Sequence, residues 1–280
     1  MGEMPLACAQ IVFIGGGKMG EAILGGWIDA VFGPAEGIEA GAISVVEVNA
    51  DRRDYLSEKY GVSCFASAEE IGAAHIVVLA VKPQVMMDVL AGLRGLPAFS
   101  EALFISIAAG LATARLVAAL PAASRLVRVM PNTPLLVGEG ASALCASERS
   151  TDSDLELVCG LFACLGLAVI VDEEAMDAIG ALSGCGPAYV AAMIESLTRA
   201  GVELGLDEQL VQSLAIQTAW GTMLLMKETG QSPQSVREAV TSPGGSTLAA
   251  LSAMAESGMD EVYCSGVKAA LRRSKELGAC

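Results

Sequence analysis

The feature that most constrains this chain is a short apolar run that ends in a cluster of glycines. Residues 11–14, Ile-Val-Phe-Ile, have the composition of a buried strand, and residues 15–20 read Gly-Gly-Gly-Lys-Met-Gly. Apolar residues at helical spacing follow from Met19 to Ala30. A strand, a tight glycine turn and a helix in immediate succession predict the first βαβ unit of a parallel sheet.

The same alternation continues to residue 171. Nearly uniform apolar strands are typical of a parallel sheet that helices cover on both faces. The predicted strands are residues 11–14, 43–48, 76–81, 103–108, 126–130, 141–145 and 168–171. The predicted helices between them are residues 19–30, 52–60, 84–93, 113–120 and 152–165, with Asp51 as the cap and Gly61 as the stop of the second, and a short helical turn at 69–73.

From residue 172 on, the pattern predicts helices alone. They span residues 174–182, 187–204, 208–227, 233–240, 247–256 and 260–277. The segment 208–227 carries apolar residues on more than one face, which indicates a subunit interface. We therefore predict an α/β fold, a Rossmann-type doubly wound sheet in residues 1–171, followed by an all-helical dimerisation domain in residues 172–280.

The glycine cluster has the G-x-G-x-x-G spacing in the strand–turn–helix context that a dinucleotide requires. Gly15 would permit the tight turn, Gly17 would let a pyrophosphate approach the backbone, and Gly20 would let the helix pack on the strand. The free N–H groups of the helix start would bind the pyrophosphate. The alternative is a glycine turn without a ligand. The residues expected at the cofactor here are Ile14, Gly15, Gly16, Gly17, Lys18, Met19 and Gly20.

An acid closes the second predicted strand. Glu47 stands where a carboxylate bonds the adenosine ribose hydroxyls and repels a 2′-phosphate, which favours NADH over NADPH. In the alternative interpretation Glu47 is a solvated strand end, and Asn49, Arg52 or Arg53 meets a 2′-phosphate instead. We include Asn49 among the cofactor-binding candidates.

Three further loops carry chemistry. Residues 80–84 and 129–134 leave the carboxyl ends of strands, and the second of these loops presents Asn132 between two prolines. Residues 241–247, Thr-Ser-Pro-Gly-Gly-Ser-Thr, precede a helix and suit a small carboxylate held by N–H groups and hydroxyls. The plainer alternatives are strand terminators for the first two loops and a well-capped helix for the third.

Composition excludes several classes of partner. The chain has 17 Lys and Arg against 32 Asp and Glu, a formal net charge of −15, which opposes binding to nucleic acid or to an anionic membrane surface. The longest uncharged stretch, residues 209–226, contains three glutamines, and the N-terminus lacks the regions of a signal peptide, so we expect neither a membrane span nor secretion.

The cysteines and the histidine do not form a metal-binding pattern. The eight cysteines are scattered without a CxxC pair, and His75 is the only histidine. We therefore expect no metal site, and reduced thiols that serve as small core residues in a cytoplasmic protein.

Five segments in a fixed order carry a resemblance to a known family. They are the glycine cluster at 15–20, Ala-Val-Lys-Pro at 80–83, Met-Pro-Asn-Thr-Pro at 130–134, Ser-Gly-Cys-Gly-Pro-Ala-Tyr at 183–189 and Ser-Pro-Gly-Gly-Ser-Thr at 242–247. From about residue 11 to residue 277 the chain resembles the pyrroline-5-carboxylate reductases. The resemblance implies reduction of 1-pyrroline-5-carboxylate to L-proline with NADPH or NADH. It also implies a homodimer formed through the helical domain, which can assemble further into a decamer of five dimers.

The resemblance also assigns roles to particular residues. Thr247 would bond the ring nitrogen of the substrate and act as its proton donor, which makes it the catalytic candidate. The substrate-binding set is Ser242, Gly244, Gly245, Ser246, Thr247 and Glu173. The remaining cofactor-binding set is Ala80, Val81, Lys82, Pro83, Ile107, Ala108, Ala109 and Asn132.

Three positions depart from the family pattern. Cys185 replaces an expected serine and is interpreted as a packing residue near the subunit interface. His75 is interpreted as a surface or strand-entry residue, and Glu47 puts the cofactor phosphate in doubt. The alternative functions are another imino-acid or hydroxyacid reductase of this fold, or a non-catalytic dinucleotide sensor. Against the hydroxyacid reaction, the helical domain's lysines, at 227, 268 and 275, lie outside the motifs that would face the substrate.

Overall fold

An eight-stranded sheet forms the first part of the computed structural model, which describes residues 9–30 and 33–279. The strands are β1 (Ile11–Ile14), β2 (Ile43–Val46), β3 (Ser63–Phe65), β4 (Ile76–Leu79), β5 (Leu103–Ser106), β6 (Arg125–Met130), β7 (Gly140–Ala146) and β8 (Gly166–Ile170). The expectation of no signal peptide concerns residues that lie outside the described ones.

Eleven α-helices are described. They are α1 (Lys18–Ile28), α2 (Ala50–Tyr60), α3 (Pro83–Leu93), α4 (Thr113–Ala119), α5 (Asp152–Ala163), α6 (Glu173–Ile179), α7 (Gly186–Glu203), α8 (Glu208–Thr229), α9 (Pro233–Ala239), α10 (Ser246–Glu256) and α11 (Met259–Ala279). The two helices predicted at 174–182 and 187–204 correspond to α6 and α7, and a π-helical turn, Gly180–Gly184, follows α6 before a bend at Cys185.

The order of the strands confirms the doubly wound α/β fold. It is β3-β2-β1-β4-β5-β6-β7-β8, so the winding direction reverses between β1 and β4, where ligands bind in such sheets. One expectation is corrected: β7 runs antiparallel to β6, because the connection from Pro131 to Glu139 is too short for the crossover helix that parallel strands need.

Helix α2 shows how local residues define the element ends. Its N-cap is Asn49, whose side-chain oxygen accepts a hydrogen bond from the N–H of Arg52 at 3.0 Å, so the prediction of Asp51 as the cap is wrong. Gly61 ends the helix at φ +72°, as predicted, since a left-handed residue closes a helix with least strain when it is glycine.

The two faces of the sheet build two separate cores. Ile11 and Phe13 point into one core, and Val12 and Ile14 into the other, as the period of a strand requires. Trp27 of α1 anchors the first core: its ring lies 5.6 Å from that of Phe13, and its indole N–H donates to the carbonyl of Leu161 at 2.9 Å. Burial on both faces explains why these strands are apolar throughout.

Contacts divide the chain into two compact units, residues 1–185 with 271–280, and residues 186–270. This differs from the boundary predicted at residue 172. Helix α6 belongs to the first unit because Met176 is fully buried in a cluster with Met130, Ala143 and Cys145. The end of α11 belongs there because Gly278 lies against Gly110, where an added Cβ would come within 2.2 Å of the Gly110 carbonyl oxygen.

Helices α7 and α8 expose large apolar side chains in the single chain. Leu214 and Trp220 of α8 are about half exposed, and Leu197 of α7 is exposed as well. Among the described residues, the helical stretch Glu173–Glu203 is long and apolar enough to cross a membrane, by length and composition alone. The expectation of no membrane span rested on other stretches, the longest of them residues 209–226, and did not include this one. A helix that packs in a subunit interface passes the same test.

Arg128 of β6 holds α6 against the sheet. Its guanidinium, 3% exposed, binds the carboxylates of Glu173 at 3.3 Å and Asp177 at 3.1 Å. Arg128→Ala leaves both carboxylates without their cation, so we expect the free energy of unfolding to fall by about 2–4 kcal/mol in chemical denaturation. Arg273→Ala breaks an exposed pair with Glu276 and should cost under about 1 kcal/mol. Equal losses in the two variants would contradict the role given to Arg128.

Candidate active site

The turn after β1 can be made only with glycines at two positions. Gly15 has φ +102°, and a Cβ there would lie 2.7 Å from the carbonyl oxygen of Ala80. A Cβ on Gly20 would lie 2.6 Å from the carbonyl oxygen of Gly15. The absence of both side chains lets α1 begin directly at the carboxyl end of the sheet, as the motif predicts.

Gly17 serves a different purpose from its neighbours. It is the N-cap of α1 in an extended conformation, no side chain caps the helix, and no atom lies within 4 Å of where its Cβ would be. The first turn of α1 therefore offers backbone N–H donors and the positive end of the helix dipole to open space. This cradle fits the pyrophosphate of a dinucleotide, which Gly17, Lys18 and Met19 would hold.

A cavity of about 270 Å³ lies beside this turn at the carboxyl ends of β1, β2 and β4. Four of the predicted cofactor residues line it: Ile14, Gly15, Glu47 and Val81. Its titratable lining residues are Glu47, Glu69 and Asp88, and the described lining includes no lysine or arginine. An apolar cavity with acids at its edge fits an adenosine and its ribose hydroxyls better than an additional phosphate.

Glu47 is held in place by backbone donors. Its Oε2 accepts from the N–H of Gly16 at 2.9 Å, and its Oε1 accepts from the N–H of Asn49 at 2.9 Å. A carboxylate has about four acceptor sites, so both oxygens keep capacity for ribose hydroxyls. The prediction that Asn49 contacts the cofactor stays a prediction, since its side-chain oxygen caps α2.

The two arginines of the alternative interpretation are engaged elsewhere. The Nε of Arg52 donates to the carbonyl of Gly16 at 2.6 Å, and its Nη2 pairs with Glu21. The Nη1 of Arg53 donates to the carbonyls of Glu47 at 2.8 Å and Val48 at 3.0 Å. Both guanidiniums therefore serve the protein's own structure near the glycine turn.

Two predicted cofactor segments follow the neighbouring strands. After β4, the N–H of Ala80 donates to Ile14 at 2.8 Å, Lys82 is the N-cap of α3, and Pro83 is its first residue. After β5, the N–H of Ile107 donates to Leu79 at 3.3 Å, and Ala108 and Ala109 continue into the loop before α4. Both segments leave the same edge of the sheet as the glycine turn.

The amide of Asn132 is used inside the protein. Its Oδ1 accepts from the N–H of Ala141 at 2.8 Å, and its Nδ2 donates to the carbonyl of Ser183 at 3.2 Å. The side chain thereby ties the loop after β6 to the π-helical turn. Its predicted contact with the nicotinamide stays a prediction.

Glu173 is likewise committed to a structural network. Its carboxylate accepts from the N–H of Thr113 at 2.6 Å, from the Thr113 hydroxyl and from Arg128. Burial raises the pKa of this carboxyl, but these hydrogen bonds and the charge of Arg128 outweigh it and lower the pKa below its usual range. The predicted substrate-binding role of Glu173 stays a prediction.

The predicted substrate loop belongs to the second compact unit. Gly244 has φ +71°, and the N–H of Gly245 donates to the carbonyl of Ser242 at 3.0 Å, so the segment forms a tight turn before α10. Gly245 is the N-cap of α10 and no side chain caps the helix, which argues against the well-capped alternative. The half-buried Thr247 lies in the first turn beside Ser246, where uncapped N–H groups can bind a carboxylate.

Some of the residues that line the cavity were not predicted, because strand β3 was not predicted. The residues after β3, from Ala66 to Glu69, line the cavity, as do Asp88, Val89 and Gly92 of α3. The sequence Val-Ser-Cys-Phe after Gly61 could have indicated this strand. The strand itself has only three residues, of which Ser63 is exposed, so the apolar pattern is weak.

The remaining expectations concern His75 and the cysteines. His75 is a strand-entry residue, as predicted: its Nδ1 accepts from the N–H of Gln10 at 2.8 Å. Six described cysteines are outside disulfides, of which Cys145 is buried, with a pKa that burial raises to about 11. Cys264 is exposed in the single chain, so the expectation of a core thiol is wrong for it, and Cys185 is exposed as well, so its packing near a subunit interface stays a prediction. Cys8 and Cys280 lie outside the described residues. No group of three potential metal ligands occurs among the described residues.

A doubly wound sheet with a glycine turn and an acid, Glu47, at its switch point fits a Rossmann-type, nicotinamide-dependent oxidoreductase. Residues 10–110 match the family model described as NADP oxidoreductase, coenzyme F420-dependent, and residues 173–277 match the model for pyrroline-5-carboxylate reductase dimerisation.

Relatives over the full length narrow this class to one family. The chain is 41% identical to pyrroline-5-carboxylate reductase from Synechocystis sp., with 96% of this chain and 98% of the relative covered. The solved reductase from Coxiella burnetii is 36% identical with a TM-score of 0.86, covering 96% of this chain and 98% of that one. The Plasmodium falciparum reductase, solved with NADP bound, is 32% identical with a TM-score of 0.85, covering 97% and 99%. The chain belongs to the pyrroline-5-carboxylate reductase family.

Gly17→Ala separates the cofactor role of the turn from its folding role. Because nothing lies near the added Cβ, the melting temperature should stay within about 2 °C of the parent value. A methyl group against the pyrophosphate should cost about 1–3 kcal/mol, so the Kd of NADH should rise at least about fivefold. Titration of NADH by fluorescence measures it, with Gly72→Ala, equally open, as the control. An unchanged Kd would contradict the placement of the pyrophosphate against Gly17.

Proposed function

We propose that this protein reduces the C=N bond of 1-pyrroline-5-carboxylate to give L-proline, the final step of proline biosynthesis. One observation carries the proposal: the chain keeps the uncapped turn at Ser242–Thr247 together with the glycine turn, within a full-length match to reductases of that name. A helix start that offers N–H groups and hydroxyls suits the single carboxylate of this substrate.

The chain's own residues bind and orient the substrate. The N–H groups of Ser246 and Thr247, with the hydroxyls of the turn, hold the substrate carboxylate. The Thr247 hydroxyl bonds the ring nitrogen and supplies the proton that makes the imine cationic, and solvent returns a proton to the hydroxyl. When bound, the reduced nicotinamide supplies the hydride. A protonated cyclic imine is already electrophilic, so holding its carbon at about 3–3.5 Å from the donor provides most of the rate enhancement.

Two other functions are less well supported. A hydroxyacid reductase needs a general base at the reacting oxygen, and Lys227, Lys268 and Lys275 are all exposed and outside the turn before α10. A non-catalytic dinucleotide sensor would have no use for the Ser242 and Thr247 hydroxyls. The whole-length likeness to pyrroline-5-carboxylate reductases supports the imine substrate over both.

For the cofactor, we propose NADH over NADPH. Glu47 at the edge of an acid-lined cavity would bond the ribose hydroxyls and repel a 2′-phosphate. The commitment of Arg52 and Arg53 to internal contacts supports the same preference.

We further propose a cytoplasmic homodimer formed through the helical unit, able to assemble as a decamer of five dimers, without nucleic acid or membrane as partner. The exposed apolar side chains of α7 and α8 support the dimer, because water-exposed apolar area of this size favours association. The net charge of −15 supports the absence of nucleic acid and of an anionic membrane.

The reaction is tested by nicotinamide absorbance with purified protein, 1-pyrroline-5-carboxylate and either cofactor. Oxidation that requires the imine is the expected result. Thr247→Ala should lower kcat about 100-fold while the Kd of NADH changes less than about twofold, because the lost hydroxyl serves the imine nitrogen. Ser252→Ala, an exposed hydroxyl in the middle of α10, is the control and should keep kcat. A Thr247→Ala variant that loses NADH affinity instead would overturn the placement of this loop.

The cofactor preference is tested with Glu47→Ser. Loss of the carboxylate removes charged hydrogen bonds to the ribose and the repulsion of a 2′-phosphate, so the ratio of kcat/KM for NADPH to that for NADH should rise about tenfold or more. Glu58→Ser makes the same substitution on the exposed face of α2 and should leave the ratio unchanged. An unaltered ratio in Glu47→Ser would mean that this carboxylate is not the ribose ligand.

A further inference from the structure

The carboxylate of Glu21, in α1, binds four side chains of α2. Glu21 accepts hydrogen bonds from the hydroxyls of Tyr55 at 2.9 Å and Tyr60 at 3.0 Å. It also forms ion pairs with Lys59 at 3.0 Å and with the Nη2 of Arg52. The Glu21 side chain is only 14% exposed, so these contacts form in a partly dehydrated setting, where charge interactions are stronger than in water.

The charge of Glu21 is secure across the physiological range. Burial raises the pKa of this carboxyl, but the hydrogen bonds from Arg52, Lys59 and the two tyrosines outweigh it and lower the pKa from 4.5 to about 2. Glu21 therefore stays ionised and keeps its hold on the Arg52 guanidinium at any pH at which the enzyme works.

Arg52 and the proposed ribose ligand, Glu47, both bind Gly16. The Nε of Arg52 donates to the carbonyl of Gly16 at 2.6 Å, while the N–H of Gly16 donates to Glu47 at 2.9 Å. Gly16 is thus held between a carboxylate on one side and a guanidinium on the other. The Arg52 side chain is 26% exposed, so it can reach solvent if its second contact is released.

We propose that Glu21 is a positioning residue for cofactor specificity: it holds Arg52 on the α1 side of the glycine turn and so withholds the cation that a 2′-phosphate would need. This rests on the proposed role of the turn as the dinucleotide site. Arginine binds phosphate through two parallel N–H donors, and the Nε and Nη2 of Arg52 are already bound to Gly16 and Glu21, so the guanidinium cannot present the pair formed by these two atoms. Arg53 does not replace it, because its Nη1 serves two carbonyls of the chain.

Glu21 and Glu47 therefore act on the same discrimination by different means. Glu47 repels the additional phosphate directly, and Glu21 removes the compensating cation. Discrimination between two ligands is a difference of affinities, and a chain can increase it by withholding a favourable contact as well as by repulsion.

The test compares adenosine 2′,5′-bisphosphate with 5′-AMP, which differ only in the 2′-phosphate, by calorimetric titration of the full chain without substrate. Glu21→Gln keeps a hydrogen-bond acceptor for the tyrosines and removes the charge that binds Arg52. We expect the Kd of the bisphosphate to fall about fivefold to tenfold, while the Kd of 5′-AMP and of NADH changes less than about twofold.

Two controls distinguish release of Arg52 from a general change of charge. Asp51→Asn removes the same charge from an exposed position of α2 and should leave the two affinities in their original ratio. The double variant Glu21→Gln, Arg52→Ala should lose the gain. An unchanged ratio in Glu21→Gln, or a gain that persists without Arg52, would overturn the proposal.

A further variant keeps Glu21 intact and does not depend on its removal. If Arg52 is withheld in the native chain, Arg52→Ala should leave the ratio of the two affinities unchanged within about twofold. A selective loss of bisphosphate binding in Arg52→Ala would show that Arg52 already meets the phosphate, and would overturn the proposal. If the unaltered chain binds none of 5′-AMP, NADH and NADPH, that result would instead contradict the proposed dinucleotide site.

Discussion

The approach of three backbone segments at the end of β1 determines how the first unit is arranged. A Cβ on Gly20 would come within 2.6 Å of the Gly15 carbonyl oxygen, and one on Gly15 within 2.7 Å of the Ala80 carbonyl oxygen. Only chains without these two side chains can start α1 so close to β1 and β4. This position of the helix start places the helix dipole at the switch point of the sheet. It also places Glu21, the residue after Gly20, where its side chain faces α2.

From this arrangement a small charged cluster follows. Glu47 lies in the connection between β2 and α2, and Arg52 lies in the first turn of α2. Both bind Gly16, Glu47 at its N–H and Arg52 at its carbonyl. The glycine turn is therefore held by opposite charges from two neighbouring parts of the chain. Because Glu21 holds the Arg52 guanidinium on the α1 side, the described charges that line the cavity are the carboxylates of Glu47, Glu69 and Asp88. The proposed cofactor preference is thus linked to the packing of α1 against α2.

The sequence predicted well what depends on contiguous residues. The long apolar strands, the glycine turn and Glu47 follow from local pattern and position, and the structure has them there. Strand β3 was missed because three residues are too few for a period to show, and the reversal of β7 depends on the length of a connection. The pair of Glu21 and Arg52 could not be predicted, since its partners are 31 residues apart and meet only when α1 packs beside α2. The internal hydrogen bonds of the Asn132 amide could not be predicted either, because the two neighbouring prolines suggested a rigid loop that presents this amide to a ligand.

The helical unit presents an energetic problem that a single chain does not solve. Side chains such as Leu214 and Trp220 remain about half exposed on α8, and burying each large apolar side chain would contribute about 1.5–3 kcal/mol. Association of two chains that each carry a net charge of −15 opposes this gain through repulsion. At physiological salt the Debye length is only about 8 Å, so charges spread over the surface repel weakly, whereas apolar contacts form at full strength. The family model for dimerisation, which matches residues 173–277, covers this same surface. Apolar burial in the helical unit therefore outweighs the repulsion between the two acidic chains.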